Sequence, residues 1–390
     1  MSGWAEVCLD DLVDIGSSKR IFYKEYQPSG VPFYRSKEII EKSQKLPVSS
    51  ELNISQERYD EIEKKHGVPK KGDLLLTSVG TLGTPWVVDQ DQAFYFKDGN
   101  LTWFKNFSER LHNQFLYYWL LSPQGKESLD MVSIGSTQPA LTIKGLKTLR
   151  IACPSFKEQK TIASVLSNLD DKIDLLHHQN KTLEAMAETL FRQWFVEVEG
   201  DGCAITELVE FNPLRKLPKG TLAPYLEMAA LSTDTFNPSG WYDREFSSGS
   251  KFINGDTLLA RITPCLENGK TAYVSFLCGE QVGWGSTEFI VMRPTDGLHP
   301  LFAYVLARNS DFRDYAEGCM AGSSGRQRVD IAHLKQYEIV RPGEELIAEF
   351  NGHMESITPK LQANMEQINT LEKLRDTLLP KLISGEVRVA

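Results

Sequence analysis

The feature that most constrains this chain is that it is written twice. GDLLLTSVG from Gly72 returns as GDTLLARIT from Gly255, at an offset of 183 residues. LHNQFLYY from Leu111 returns as LHPLFAYV from Leu298, and Gly135-Ser136 as Gly322-Ser323, both at an offset of 187. LTIKGLKTLRIACP then answers RVDIAHLKQYEIVRP, with Pro154 over Pro342 at an offset of 188. The order is kept and the offset drifts slowly, which is what small loop insertions in a duplicated fold produce. A repeat this long is not a solenoid unit; it predicts two similar domains. Within each copy, short β-type runs alternate with Gly/Pro/Ser turns, and a helix follows near His112 to Leu121 and Leu301 to Arg308. A polar loop and a last strand (Thr148 to Ala152, Tyr337 to Val340) lead into the proline. The fold class expected is mixed α/β, of the α+β kind.

After each proline the pattern changes to heptads. Ile162, Leu166, Leu169, Ile173, Leu176, Leu183, Ala187, Leu190 and Trp194 recur in steps of four and three, with Asn180 in the remaining seam position. At 1.5 Å per residue this helix is roughly 50 Å long. The second seam is Ile347, Phe350, Met354, Ile357, Leu361, Ile368, Leu371, Leu378 and Leu382, with Asn364 and Arg375 filling the gaps. Pro359 should kink or restart this helix, and Leu379-Pro380 followed by Ser384-Gly385 reads as its stop. Asn180 falls at an a position and Asn364 at a d position, so an antiparallel pair brings them together and sets the register. The alternative is that each sits at a wet edge near the kink. The boundaries expected are 1–155 and 201–342 for the two globules, with helical spacers at 156–200 and 343–390. Two similar modules on such a frame suit a target read in two parts.

Composition excludes several classes. No apolar run reaches membrane-spanning length, and MSGWAEVCLDDLVDIG lacks the basic and apolar regions of a signal peptide. The six cysteines contain no C-x-x-C, so reduced thiols in a cytoplasmic protein are expected. The net charge is −9, yet residues 1–155 are neutral and each remaining segment carries −3. DNA binding would therefore rest on a local basic face. An amino-methyltransferase loop of the N-P-P-Y type is absent; Asn212-Pro213-Leu214 and Asn237-Pro238-Ser239 lack the second proline and the aromatic. The P-loop-like Leu266-to-Thr271 stretch has Pro264 where the first glycine belongs. His177-His178 lies in the heptad helix, where adjacent side chains diverge, so no metal site is expected.

Candidate DNA contacts come from polar loops at equivalent places in the repeat. In the first copy they are Ser136, Thr137 and Gln138, with Arg35, Lys37, Thr77 and Thr81. In the second they are Arg326, Gln327 and Arg328, with Arg261, Thr263 and Lys270. Arg reads guanine and Gln reads adenine by paired hydrogen bonds, while Ser, Thr and Lys suit phosphates. A solvated loop or a surface ion pair is the competing reading for each. Phe191, Trp194 and Phe195 end the first helix as an aromatic cluster, either core or a docking surface for a partner.

The order globule, long helix, globule, long helix resembles the specificity subunits of type I restriction–modification systems. LEAMAETLFRQWFVEVE (Leu183 to Glu199) is similar to that family's central helical region, and LRDTLLPKLISGEVRV (Leu374 to Val389) to its C-terminal one. GSTEFIVMRP from Gly285 resembles its target-recognition domains. The resemblance implies a non-catalytic subunit in which each globule recognises one part of a bipartite double-stranded DNA site. It also implies two modification subunits that methylate adenine with S-adenosylmethionine, and restriction subunits that use ATP and Mg, all bound outside this chain. Two other readings stay open: a recognition subunit for a fused nuclease-methyltransferase, and a coiled-coil protein scaffold.

Overall fold

The computed structural model describes residues 3–135, 137–233, 235–322, 325 and 327–389. It is a mixed α/β chain whose contacts divide it into two compact units. Residues 1–171 with 372–390 make the first, and 172–371 the second.

The first unit contains, in order, β1 (Ala5–Cys8), β2 (Asp14–Gly16), β3 (Tyr26–Gln27), β4 (Val31–Tyr34), α1 (Ser36–Ser43), β5 (Asn53–Ile54), α2 (Gln56–His66), β6 (Leu74–Thr77), β7 (Pro85–Val87), β8 (Tyr95–Phe96), β9 (Leu101–Lys105), α3 (Asn113–Leu121), α4 (Pro123–Val132), β10 (Ser133–Ile134), β11 (Ala140–Leu141), α5 (Ile143–Lys147) and β12 (Arg150–Cys153). The long α6 (Phe156–Phe191) then begins, and residues up to Asp171 belong here. The main sheet is antiparallel in the order β2-β9-β6-β7. Leu74 and Leu76 on β6 and Phe104 on β9 share one core with Phe115, Leu116 and Trp119 of α3. Their alternation along β6 and helical spacing on α3 turn those apolar side chains toward each other. A second sheet, β3-β5-β4-β8, has its own smaller core around Phe33, Ile54 and Tyr95.

The second unit repeats the plan with β13 (Gly202–Ala204), β14 (Val209–Phe211), β15 (Leu222–Leu226), β16 (Tyr242–Glu245), β17 (Ser250–Phe252), β18 (Thr257–Ala260), β19 (Thr271–Tyr273), β20 (Gly283–Gly285), β21 (Phe289–Pro294), α7 (Leu301–Arg308), α8 (Ser310–Gly318), β22 (Met320–Ala321), β23 (Arg328–Val329), α9 (Ile331–Leu334), β24 (Glu338–Val340) and α10 (Glu344–Ser384), of which residues up to Leu371 belong here. Its main sheet, β14-β21-β18-β19, has the order and antiparallel sense of the first. The first and last strands of each globule also pair alike, β1 with β12 and β13 with β24.

The seams of the two long helices are built into the two cores. In the first unit, Ile162 and Leu166 of α6 share a core with Leu382 and Ile383 of α10. There Asp170 accepts from Arg375 Nη1 (3.1 Å) and from the Tyr118 hydroxyl (2.7 Å), while Glu158 pairs with Arg388. In the second unit, Ile173, Leu176 and Ala187 share a core with Met354, Ile357, Leu361 and Ile368. Asn364 Nδ2 donates to Asn180 Oδ1 at 2.8 Å. In each unit, higher numbers on α6 meet lower numbers on α10, so the pairing is antiparallel.

The expected stop lies where the sequence placed it, at Ser384-Gly385, and Pro359 does not restart the helix. α10 runs unbroken through Pro359 and Pro380 and ends at Ser384, before Gly385 at φ +72°. A proline removes one intrahelical donor and crowds the preceding turn. The apolar contacts of Met354, Ile357 and Leu361 on either side of Pro359 hold the helix together. The glycine, which takes the left-handed conformation without strain, is the actual terminator.

Candidate nucleic-acid interface

The register of the main sheet gathers the candidate loops at one end of it. In the first unit, Thr77 at the end of β6 faces Leu101 at the start of β9, and Gly16 at the end of β2 faces Trp103. Three connections therefore leave the same end: the segment after Gly16, the loop 78–84 and the turn 97–100. The β10–β11 hairpin is pinned onto the loop. Leu141 N–H donates to Ser78 O at 2.9 Å, and Val79 and Ala140 form a bridge. Thr81 and, at the hairpin tip, Thr137 and Gln138 are exposed.

The second unit makes the same construction. Ala260 at the end of β18 faces Phe289 at the start of β21, and Phe211 faces Met292. Val329 N–H donates to Arg261 O at 2.9 Å, and Ile262 bridges Arg328. Arg261 and Val329 are the partners of Ser78 and Leu141 at the repeat's own offsets, 183 and 188. Thr263 and Gln327 exchange bonds as well: Thr263 N–H donates to Gln327 O (3.2 Å), and Gln327 N–H to Thr263 Oγ1 (3.3 Å).

Side-chain partners divide the candidates. Thr77 is buried, and its hydroxyl accepts the Thr84 N–H at 2.9 Å, so it closes the loop from inside instead of facing a ligand. Arg35 precedes α1 and is clamped by the buried Glu38, with Nη2 to Oε1 at 2.8 Å. That hydrogen bond raises the Arg35 guanidinium above its ordinary value and commits its charge to a carboxylate that would otherwise be buried unpaired. Lys37 is exposed and lies 3.7 Å from Glu41. Arg328 forms a forked pair with Glu288, with bonds of 2.7 to 3.0 Å, and this pair raises its guanidinium in the same way. Arg261 Nε donates to Val329 O (3.1 Å), and Lys270 Nζ to Met228 O (3.3 Å). Ser136 and Arg326 lie outside the described residues.

The aromatic cluster is core. Phe191 and Phe195 are completely buried, and both rings lie 5.3 Å from Phe302. A π-helical turn over Arg192–Val196 rotates Phe195 into that cluster, leaving neither ring a free face for docking. Trp194 is only partly buried and rests against Phe350 and His353. Sequence reasoning did not find Glu38 and Glu288, the carboxylates that occupy Arg35 and Arg328. The first lies three residues from its partner; the second lies 40 away, beyond any local pattern.

Among the described residues, no group of three or more His, Cys, Asp or Glu side chains is placed to hold a metal ion. No helix among them is long and apolar enough to cross a membrane.

Known proteins with this arrangement point one way. Residues 1–185 match the family described as type I restriction modification DNA specificity domain. The chain is 25% identical to the type I restriction enzyme MjaIX specificity subunit of Methanocaldococcus jannaschii, over 96% of this chain and 90% of that one. It is 22% identical to the type I restriction enzyme HindI specificity subunit of Haemophilus influenzae, over 82% of this chain and 87% of that one. The fold is similar to the crystal structure of a type I restriction–modification S subunit from M. genitalium, with TM-score 0.59, 16% identity, and 97% and 96% of the two chains covered. With relatives matched over nearly its full length, this chain is similar to the specificity subunits of type I restriction–modification systems.

Proposed function

We propose that this chain selects the DNA target of a type I restriction–modification complex, reading a bipartite double-stranded site with one loop set per unit. The observation that carries this is the repeated pin. In both units the same two main-chain groups fasten the same hairpin to the same sheet-end loop, and in the first unit Thr81, Thr137 and Gln138 face outward. A scaffold that binds only proteins has no need of the same exposed loop pair in both copies. Phosphate contacts would fix each unit on the duplex, and side chains at the loop tips would read base edges.

In this reading the chain is a non-catalytic cytoplasmic subunit. It docks two modification subunits, which bind S-adenosylmethionine and methylate adenine, and restriction subunits, which use ATP and Mg. The test is the methylome of a host with and without the gene, by single-molecule sequencing. Loss of adenine methylation at one split motif is the expected result. An unchanged methylome, with the modification subunit active, would overturn the proposal.

A further inference from the structure

Most cations chosen from the sequence have protein partners, as described above, so the charge that holds DNA must come partly from elsewhere. The repeat identifies where. α4 and α8 both lead into the pinned hairpin, and both begin alike. Ser122 caps α4 by accepting the Gly125 N–H, and Asn309 caps α8 by accepting those of Asp311 and Phe312. The residue four positions after each cap donates its N–H back to the cap's carbonyl. These residues are Lys126 (2.9 Å to Ser122 O) and Arg313 (3.1 Å to Asn309 O). They stand 187 residues apart, the offset of this part of the repeat.

Both helices abut the recognition loop at equivalent glycines. Thr77 N–H donates to Thr84 O, and Ala260 N–H to Lys270 O, so Gly83 and Gly269 occupy the same place at the loop's end. Both have positive φ, +75° and +72°. A Cβ on Gly83 would lie 3.1 Å from Leu129, one turn beyond Lys126 on α4. A Cβ on Gly269 would lie 2.3 Å from Arg313 Nη1, so the guanidinium rests against the bare backbone of the loop. Lys126 is exposed and Arg313 partly so. Among the described residues, neither has an ion-pair partner or a side-chain hydrogen bond, and Arg313 Nε is buried without an acceptor. A guanidinium with open donors beside a glycine turn, as at Arg313, is suited to an anionic oxygen, and Lys126 holds the equivalent place on α4.

We propose that Lys126 and Arg313 are DNA phosphate contacts, one in each unit, which position the duplex against the loops without reading bases. The assignment rests on the DNA-reading function proposed above. A phosphate contact contributes to affinity on every sequence and to salt dependence, whereas a base contact contributes to discrimination.

The experiment uses the complex assembled with its modification subunits and measures Kd against salt for the cognate duplex and for one with a mutated half-site. Lys126→Gln and Arg313→Gln should each reduce the slope of log K against log salt by about 0.9. Over a fourfold change in salt, each variant should then lose about 3.5-fold less affinity than the unaltered complex. Binding to the two duplexes should weaken by the same factor, and Lys126→Arg and Arg313→Lys should restore the slope. An unchanged slope in both Gln variants would overturn the assignment. So would a loss confined to the cognate duplex, which would make these residues base readers. If the unaltered complex prefers neither duplex, the DNA-reading function itself fails, and this assignment with it.

Discussion

The two asparagines that meet between α6 and α10 are not equivalent, and the difference can be measured. Asn180 is 4% exposed; its Oδ1 accepts from Asn364, while its Nδ2 has no partner. Asn364 is only partly buried and has access to water. Asn364→Leu removes the donor and leaves both polar atoms of Asn180 buried and unpaired, at a cost of about 1–3 kcal/mol. Asn180→Leu loses the same hydrogen bond, worth roughly 1 kcal/mol. It also removes the unpartnered amide and buries a leucine, worth about 1.5–3 kcal/mol. The first variant should be destabilised, the second should be close to the original or above it, and the double variant should regain what Asn364→Leu lost. In a domain of about 200 residues, 1 kcal/mol corresponds to roughly 2–4 °C, so Asn364→Leu should lower Tm by about 2–12 °C. Thermal unfolding of the four proteins, analysed as a double-mutant cycle, measures this directly. Equal losses in the two single variants, or a double variant no more stable than Asn364→Leu, would refute the reasoning.

Other expectations concern packing and titration. Phe191→Ala should destabilise its unit by about 3–5 kcal/mol in urea unfolding, because a fully buried ring leaves a cavity; unchanged stability with weakened partner binding would instead restore the docking role. Gly125→Ala, whose Cβ would lie 1.9 Å from Trp119 O, should cost more than about 2 kcal/mol by displacing the start of α4, and an unchanged Tm would contradict that close approach. Burial holds the His112 and His299 imidazoles below their ordinary value, so the unfolded chain takes up their protons first. Stability should fall as pH drops through about 6.5 toward the lower folded values, and His112→Gln with His299→Gln should flatten that part of a Tm-against-pH curve. No change in its slope would refute the assignment.

The long-range plan was legible in the sequence because it is periodic. Heptad phase placed Asn180 opposite Asn364, and the offset between GDLLLTSVG and GDTLLARIT marked β6 and β18 as equivalent strands. The sequence was less informative where a local rule met tertiary contacts. Pro359 breaks an isolated helix, but here the neighbouring turns are held by a buried seam. Phe191 and Phe195 read as an aromatic end, yet a π-turn and Phe302 take them inward. Arg35 and Arg328 have the charge and loop position of DNA contacts, but sequence does not reveal that Glu38 and Glu288 hold them. Lys126 and Arg313 stand 187 residues apart but lie in helices, outside the polar loops whose composition suggests DNA contacts.

The pins under the hairpins have an evolutionary consequence. Leu141 N–H to Ser78 O and Val329 N–H to Arg261 O join main chain to main chain. Any residue other than proline at positions 141 and 329 can supply the donor, and positions 78 and 261 give only a carbonyl. The anchorage is therefore indifferent to side-chain identity at 78 and 261, and substitutions at the loop tips that leave the main chain in place do not touch it. Under the proposed function, one half of the target can drift through point changes at a single tip while the other half is retained. Such a chain can explore new pairings of half-targets combinatorially, each step starting from a folded protein.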